Sequence, residues 1–157
     1  MALKGDRYEA LTDNSFFMNE TSERGYIVVH GNGSAQSGGS GIAMDQAEAI
    51  VAIPGSAVTG SPAHAAGLLL NDVVNLDLTR QHLNQHQDEV QQGGKVLLLR
   101  QGWVVTDAID SSTPLAGHPA YFDTDGKITT GTGSAQIGRF LSSKDADSYC
   151  KVWINIV

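Results

Sequence analysis

A glycine- and serine-rich run near the N-terminus constrains the fold of this chain more than any other feature. Residues 31–41 read GNGSAQSGGSG. Such a run behaves as a flexible coil, because it buries too little surface to offset an ordering cost of about 1–2 kcal/mol per residue. It therefore predicts that the chain divides into an extended, largely irregular N-terminal arm, residues 1–42, and a folded domain, residues 43–157.

The predicted arm has one apolar cluster. Residues 1–25 mix charged and polar side chains around Phe16, Phe17 and Met18, and a short β-prone run follows at residues 26–30. A segment with this pattern is suited to becoming ordered on a partner's surface, or to adding a strand to the edge of a partner's sheet. The alternative is that the apolar cluster packs on the chain's own domain.

The pattern after residue 43 favours a mainly β domain. Asp125–Gly126 predicts a tight hairpin turn, and Gly102 predicts a hinge between two strand pieces. The C-terminal run places Cys150, Val152, Ile154 and Ile156 on one face and Trp153 on the other. We expect a small antiparallel β-barrel or sandwich with strand candidates at residues 66–70, 74–79, 95–106, 121–122, 128–129, 137–141 and 150–157. Residues 80–92 are compatible with a helix or with a solvated excursion.

Charge and composition exclude several functional classes. The 10 Lys and Arg residues are scattered and the net charge is −7, so the basic footprint of a nucleic-acid-binding protein is absent. No apolar run approaches the roughly 18 residues of a membrane span, and the first residues do not form a signal peptide. The single Cys150 excludes an intrachain disulfide framework. We expect a soluble, acidic protein with no nucleic-acid or membrane partner.

The motifs that could carry chemistry are incomplete. His82 and His86 have a spacing that zinc accepts, but leucine stands where a metalloprotease needs glutamate. Asp123 and Asp125 resemble the start of a calcium loop, but Lys127 occupies a ligand position. Neither a phosphate-binding loop nor a Gly-x-Ser-x-Gly elbow is complete. We therefore expect no catalytic residue, no metal ligand and no cofactor.

The order of strands and glycines in the later part of the chain is similar to that of a known family. It is carried by Gly67–Leu70, GGKVLLLRQGWVVTDAI at residues 93–109, GHPAYFDTDGKI at 117–128, IGRFL at 137–141 and the final strand at 152–157. Over about residues 63–157 this order resembles the small β-barrel decoration, or cement, proteins of tailed-bacteriophage heads.

The resemblance implies a non-enzymatic virion structural protein, made in the host cytoplasm, that stabilises the capsid lattice from its outer surface. It further implies trimers bound to the major capsid protein, with the arm bridging neighbouring shell subunits. Such attachment stabilises a shell by mass action, because it favours the assembled lattice. The arm residues that we expect to contact the capsid are Arg7, Phe16, Phe17, Met18 and Tyr26.

Two alternatives remain open on the sequence. The chain has the composition of other virion components, such as a tail-tube, head-completion or fibre-associated subunit. A small metal-dependent protein or a carbohydrate-binding module is the other alternative, and in a module of that kind Trp103 and Trp153 would offer stacking platforms for sugars.

Overall fold

The computed structural model describes residues 3–31, 50–55, 64–72, 89–90, 95–132 and 134–156. These residues form eleven strands and no helix, which confirms the mainly β prediction, and none of them forms a helix able to cross a membrane. The strands are β1 Leu3–Met18, β2 Ser22–Glu23, β3 Ile27–His30, β4 Ile50–Ala52, β5 Ala65–Asp72, β6 Glu89–Val90, β7 Lys95–Thr106, β8 Pro119–Phe122, β9 Ile128–Thr129, β10 Gly138–Phe140 and β11 Cys150–Asn155.

Nine of these strands form one sheet, in the order β1-β4-β3-β5-β7-β11-β10-β8-β9, while β2 pairs with β6. β7 pairs with β1 along almost its whole length, with β5 over its first half and with β11 over its second half. Because β1 also pairs with β4, the strands β1, β4, β3, β5 and β7 close into a ring. The other four strands continue from β7, so the expected barrel or sandwich is instead a five-stranded ring with a sheet extension.

Gly102 lies just after the point where β7 exchanges β5 for β11 as its partner, since Leu99 is the last residue aligned with β5 and Gln101 the first aligned with β11. Its φ is 151°, and a Cβ atom at this position would lie 2.0 Å from the carbonyl oxygen of Tyr8 on β1. Only glycine lets the two backbones approach so closely. The hinge predicted at Gly102 is therefore a change of partner within one continuous strand, and not a break between two strands.

Two apolar cores cover opposite faces of the central strands. In β5, Leu68 and Leu70 belong to one core and Leu69 to the other, so consecutive apolar residues are all buried. We call the first the main core; it contains Leu3, Ile27, Val29, Leu68, Leu70, Leu99, Val104, Ile109, Ala120, Phe122, Ile128, Ile137, Phe140, Cys150, Val152, Ile154 and Ile156. The second receives side chains from every strand of the ring, and we call it the ring core; it contains Met18, Val28, Val51, Ala66, Leu69, Val90, Val96 and Leu98.

The N-terminal arm predicted over residues 1–42 is not confirmed. β1 pairs with β7 within the same chain, and β3 lies between β4 and β5. The ends of β1 are anchored by burial, because Leu3 is 2% exposed in the main core and Met18 is 0% exposed in the ring core. Residues 32–42 lie outside the described residues, and the boundary at residues 42 and 43 stays a prediction.

The hairpin predicted at Asp125–Gly126 is confirmed, since β8 and β9 form an antiparallel pair around it. Asp123 Oδ1 accepts hydrogen bonds from the backbone N–H groups of Asp125, at 2.9 Å, and Lys127, at 2.8 Å. Gly126 supplies the positive φ that the turn requires, 77°. The Asp123 carboxylate thus organises a turn. Other predictions fall outside the described residues: the strand at 74–79 and most of the stretch at 80–92, with His82 and His86. The described part of that stretch, Glu89–Val90, is the strand β6, and Val90 is buried in the ring core.

A second carboxylate connects β9 with the segment that follows β7. Asp110 accepts hydrogen bonds from the Ser112 backbone N–H, at 3.0 Å, and from Thr129 Oγ1, at 2.7 Å. Partial burial raises the pKa of Asp110, but these hydrogen bonds and the nearby Lys144 outweigh it and hold the pKa below its usual value. The charged form of Asp110 therefore stabilises this part of the fold.

Candidate functional site

Four neighbouring strands place aromatic and cationic side chains in a row on the outer face of the sheet. The register aligns Tyr8 of β1 with Trp103 of β7, Trp103 with Trp153 of β11, and Trp153 with Arg139 of β10. Residues paired across adjacent strands project from the same face, so the row spans three strand spacings, about 14 Å. We call Tyr8, Trp103, Arg139, Lys151 and Trp153 the aromatic face.

The main core beneath this row fixes its position. In β11, Val152 and Ile154 are fully buried, and the alternation of the strand directs Lys151 and Trp153 to the opposite side, where both are half-buried. In β10 the same alternation buries Phe140 and exposes Arg139. The aromatic face is therefore held by a packed layer of apolar residues directly below it.

Much of the exposed apolar surface of the described residues lies on or beside this face. Tyr8 is 51% exposed, Leu11 is 50% exposed and Leu141 is 42% exposed, and Leu115 is the fourth large apolar side chain in this class. Leu11 is aligned with Gln101, two residues before Trp103 on β7. Leu141 helps to line a surface groove of about 510 Å³ formed by Gln136, Gly138, Arg139, Leu141, Trp153 and Asn155. Clustered exposure of this kind marks interaction surfaces.

The aromatic face carries positive charge in an acidic protein. The chain has a net charge of −7, yet this face contains two basic side chains, Arg139 and Lys151, and no acidic one. Lys151 Nζ lies 3.4 Å from the centroid of the Trp103 ring, a cation–π contact. None of the residues that line the neighbouring groove is acidic. The face therefore suits a partner that offers apolar groups together with negative charge.

The predicted contact residues at the end of β1 have different degrees of burial. Phe16 and Phe17 are partly buried; Phe16 packs against the ring core, with its ring edge-on to His30 at a centroid distance of 5.3 Å. Met18 is fully buried. Two phenylalanines thus retain surface for a partner, whereas Met18 stabilises the chain's own fold, because it has no exposed atoms to offer.

The other two predicted contact residues, Arg7 and Tyr26, are partly buried. Arg7 forms an ion pair with Glu9 at 2.5 Å. Burial, followed by the negative charge of Glu23, raises the pKa of Tyr26. Arg7 and Phe17 are aligned with positions 104 and 95 of β7, which are about 30 Å apart along a strand. The five predicted residues therefore do not form one continuous patch.

Sequence reasoning did not find the aromatic face as a site. The alternation of apolar residues in β11 already placed Trp153 on the face opposite the buried residues, and such alternation is how a sequence indicates an outward-facing tryptophan. Tyr8 and Arg139 left no such signal, since their alignment with the tryptophans depends on pairing between distant strands. The sequence also offered Trp103 as a sugar platform, but the Lys151 side chain lies over its ring.

The described residues contain no group of three or more His, Cys, Asp or Glu side chains placed to hold a metal ion. Cys150 is buried in the main core, and its Sγ donates a hydrogen bond to the Ser142 carbonyl oxygen at 2.8 Å. Burial raises the pKa of the Cys150 thiol, so the thiol stays protonated near neutral pH and is a poor nucleophile.

Comparison with known protein families finds a match over most of the chain. A phage cement family model, described as "Structural cement protein (E217 gp24/Pam3 gp6)", matches residues 10–155. A search of curated proteins finds no match. The matched range starts two residues after Tyr8 and contains the rest of the aromatic face, together with Phe16, Phe17 and Tyr26.

Proposed function

Because this chain belongs to the phage structural cement protein family, we propose that it binds the outer surface of a phage head and stabilises the capsid lattice. The observation that carries this proposal is the family match over residues 10–155, which includes ten of the eleven strands completely and most of β1. Family membership gives the chain a structural role in the virion. A structural family also supports a function without catalysis.

The stabilisation that we propose is a binding linkage. A protein that binds the assembled lattice but not the separated shell subunits shifts the equilibrium toward the lattice. At a free concentration one hundred times the Kd, each site contributes about 2.7 kcal/mol. Hundreds of sites on one head would therefore have a large combined effect on the stability of the shell.

We further propose that the partner is the major capsid protein and that the bound form is a homotrimer. In this proposal the partly exposed surfaces of Phe16 and Phe17 supply one contact with the shell, and Arg7 and Tyr26 supply contacts at other places on the protein. Met18 contributes indirectly, because its burial holds the end of β1 in place. Sedimentation-velocity ultracentrifugation of the purified protein tests the trimer; a single monomeric species at micromolar concentration would contradict it.

The experiment that tests capsid binding uses expanded phage heads assembled without this protein. The purified chain is titrated onto the heads, bound protein is quantified after sedimentation, and the melting of the heads is followed by light scattering. We expect saturation at hundreds of copies per head and a higher melting temperature. Absence of cosedimentation would overturn the proposal. If complete virions, titrated in parallel, bound only a few dozen copies confined to the tail, that result would indicate a tail component instead.

A further inference from the structure

We propose that the aromatic face is a second docking surface for the shell protein, and that it recognises a segment of that protein which presents apolar side chains and carboxylates. This inference rests on the proposed function, since it names how the shell is contacted. It concerns a surface distinct from the one that contains Phe16 and Phe17. The partner is identified by chemistry, from the residues that the face offers.

The aromatic face has the amino-acid composition of a binding hot spot in a protein–protein interface. Tyrosine, tryptophan and arginine are the residue types that dominate binding energy in such interfaces. Tyr8, Trp103, Trp153 and Arg139 supply these types in one row, with the groove of about 510 Å³ beside Trp153. Because the sheet fixes their backbones, little backbone conformational entropy is lost when a partner binds.

Charge identifies the chemistry of the partner. Arg139 is exposed and belongs to no ion pair among the described residues, while the Lys151 ammonium group lies over Trp103. An arginine fork binds a carboxylate with two parallel hydrogen bonds. A partner segment with an acidic residue opposite Arg139 and an apolar residue in the groove would therefore satisfy both parts of the face.

Two other occupants fit less well. A second copy of the chain bound through a two-fold contact would bring two patches of the same positive charge together, since the same patch serves on both sides of such a contact. A sugar needs an open aromatic ring face, and the Lys151 ammonium group lies 3.4 Å from the centroid of Trp103. These features favour an acidic protein surface.

The position of the face fits a protein that bridges two shell subunits. Trp103 is about 23 Å along β7 from Val96, the position aligned with Phe16. A bridging protein needs two separate contact surfaces, and linking two sites raises avidity without any new contact within either site. The end of β1 and the aromatic face supply such a pair of surfaces.

The test compares two charge reversals that change the net charge equally. Arg139→Glu alters the aromatic face, and Lys127→Glu, in the β8–β9 turn, is the matched control. Binding to expanded heads that lack the protein is measured by cosedimentation at fixed salt, after circular dichroism has shown that both variants fold. We expect the Kd of Arg139→Glu to rise at least about tenfold, as for a charge at an interface, and that of Lys127→Glu to change less than about twofold.

Trp153→Ala provides a second measurement on the apolar part of the face, and we expect the same direction of change. If the wild-type protein binds heads and Arg139→Glu binds equally well, this inference is overturned while the proposed function stands. If the wild-type protein does not bind heads, the proposed function fails first. If Arg139→Glu formed a smaller oligomer but bound heads as the wild type does, the face would be assigned to contacts between copies of the chain. If the wild type bound a glycan and only Trp153→Ala lost that binding, the face would be assigned to a sugar. Both results contradict the inference.

Discussion

Met18→Ala removes a side chain that is completely buried in the ring core, where every strand of the ring contributes apolar groups. The substitution deletes the transfer free energy of the thioether chain and leaves a cavity in its place. Buried Met→Ala changes cost about 2–5 kcal/mol, and a closed ring of strands has little freedom to collapse, so we expect a loss of about 3 kcal/mol in the free energy of unfolding. For a chain of this length that corresponds to a fall in Tm of roughly 6–12 °C.

Urea unfolding followed by tryptophan fluorescence measures this loss at a fixed protein concentration, using Trp103 and Trp153 as reporters. Leu11→Ala is the matched control, because Leu11 lies on the same strand and is 50% exposed. We expect the control to differ from the wild type by less than about 0.5 kcal/mol. If Met18→Ala were equally mild, β1 would not belong to the stable fold, and the N-terminal segment would be an arm that orders on a partner, as the sequence predicted.

Three further predictions test other features of the fold. Gly102→Ala should lower the free energy of unfolding by about 1–3 kcal/mol, because a Cβ atom would lie 2.0 Å from the Tyr8 carbonyl oxygen. Gly5→Ala should be nearly neutral, because no atom lies within 4 Å of a Cβ atom built there; thermal unfolding of both variants decides this. Asp110→Asn should lower the free energy of unfolding by about 1–2 kcal/mol at pH 7. The difference between the variant and the wild type should shrink as the pH falls below about 4, because the lowered pKa of Asp110 means that the fold stabilises only its charged form. A difference that does not change with pH contradicts this. Cys150 should react with iodoacetamide at least about tenfold more slowly in the native protein than in urea, and equal rates would show that the thiol is accessible.

The local patterns of the sequence predicted much of the β structure correctly. The alternation in residues 150–156 placed the buried and the outward residues of β11 on their correct faces, since side chains in a strand alternate with a period of two. Asp125–Gly126 identified the β8–β9 turn for a similar reason, because the backbone dihedral angles of that turn depend on residues within it. Both features depend on interactions between residues that are close along the chain.

The place of β1 in the sheet could not be predicted in this way. Residues 5–15 of β1 have mostly exposed side chains, so the strand shows no alternation of apolar and polar residues. Its backbone is held by β7, whose aligned residues lie about ninety positions later in the chain. Pairing over that separation depends on the rest of the fold, and burial of Leu3 and Met18 at the two ends fixes it.

The aromatic face shows the same division between local and distant information. The sequence by itself determined that Trp153 points away from the buried side of β11, and that the chain carries few cations. Only the tertiary structure decided that Tyr8, Trp103 and Arg139 stand beside it, because the register between strands sets which residues become neighbours. A shift of one residue in any of these pairings would turn the row to the opposite face, and it is the packing of the main core that prevents such a shift.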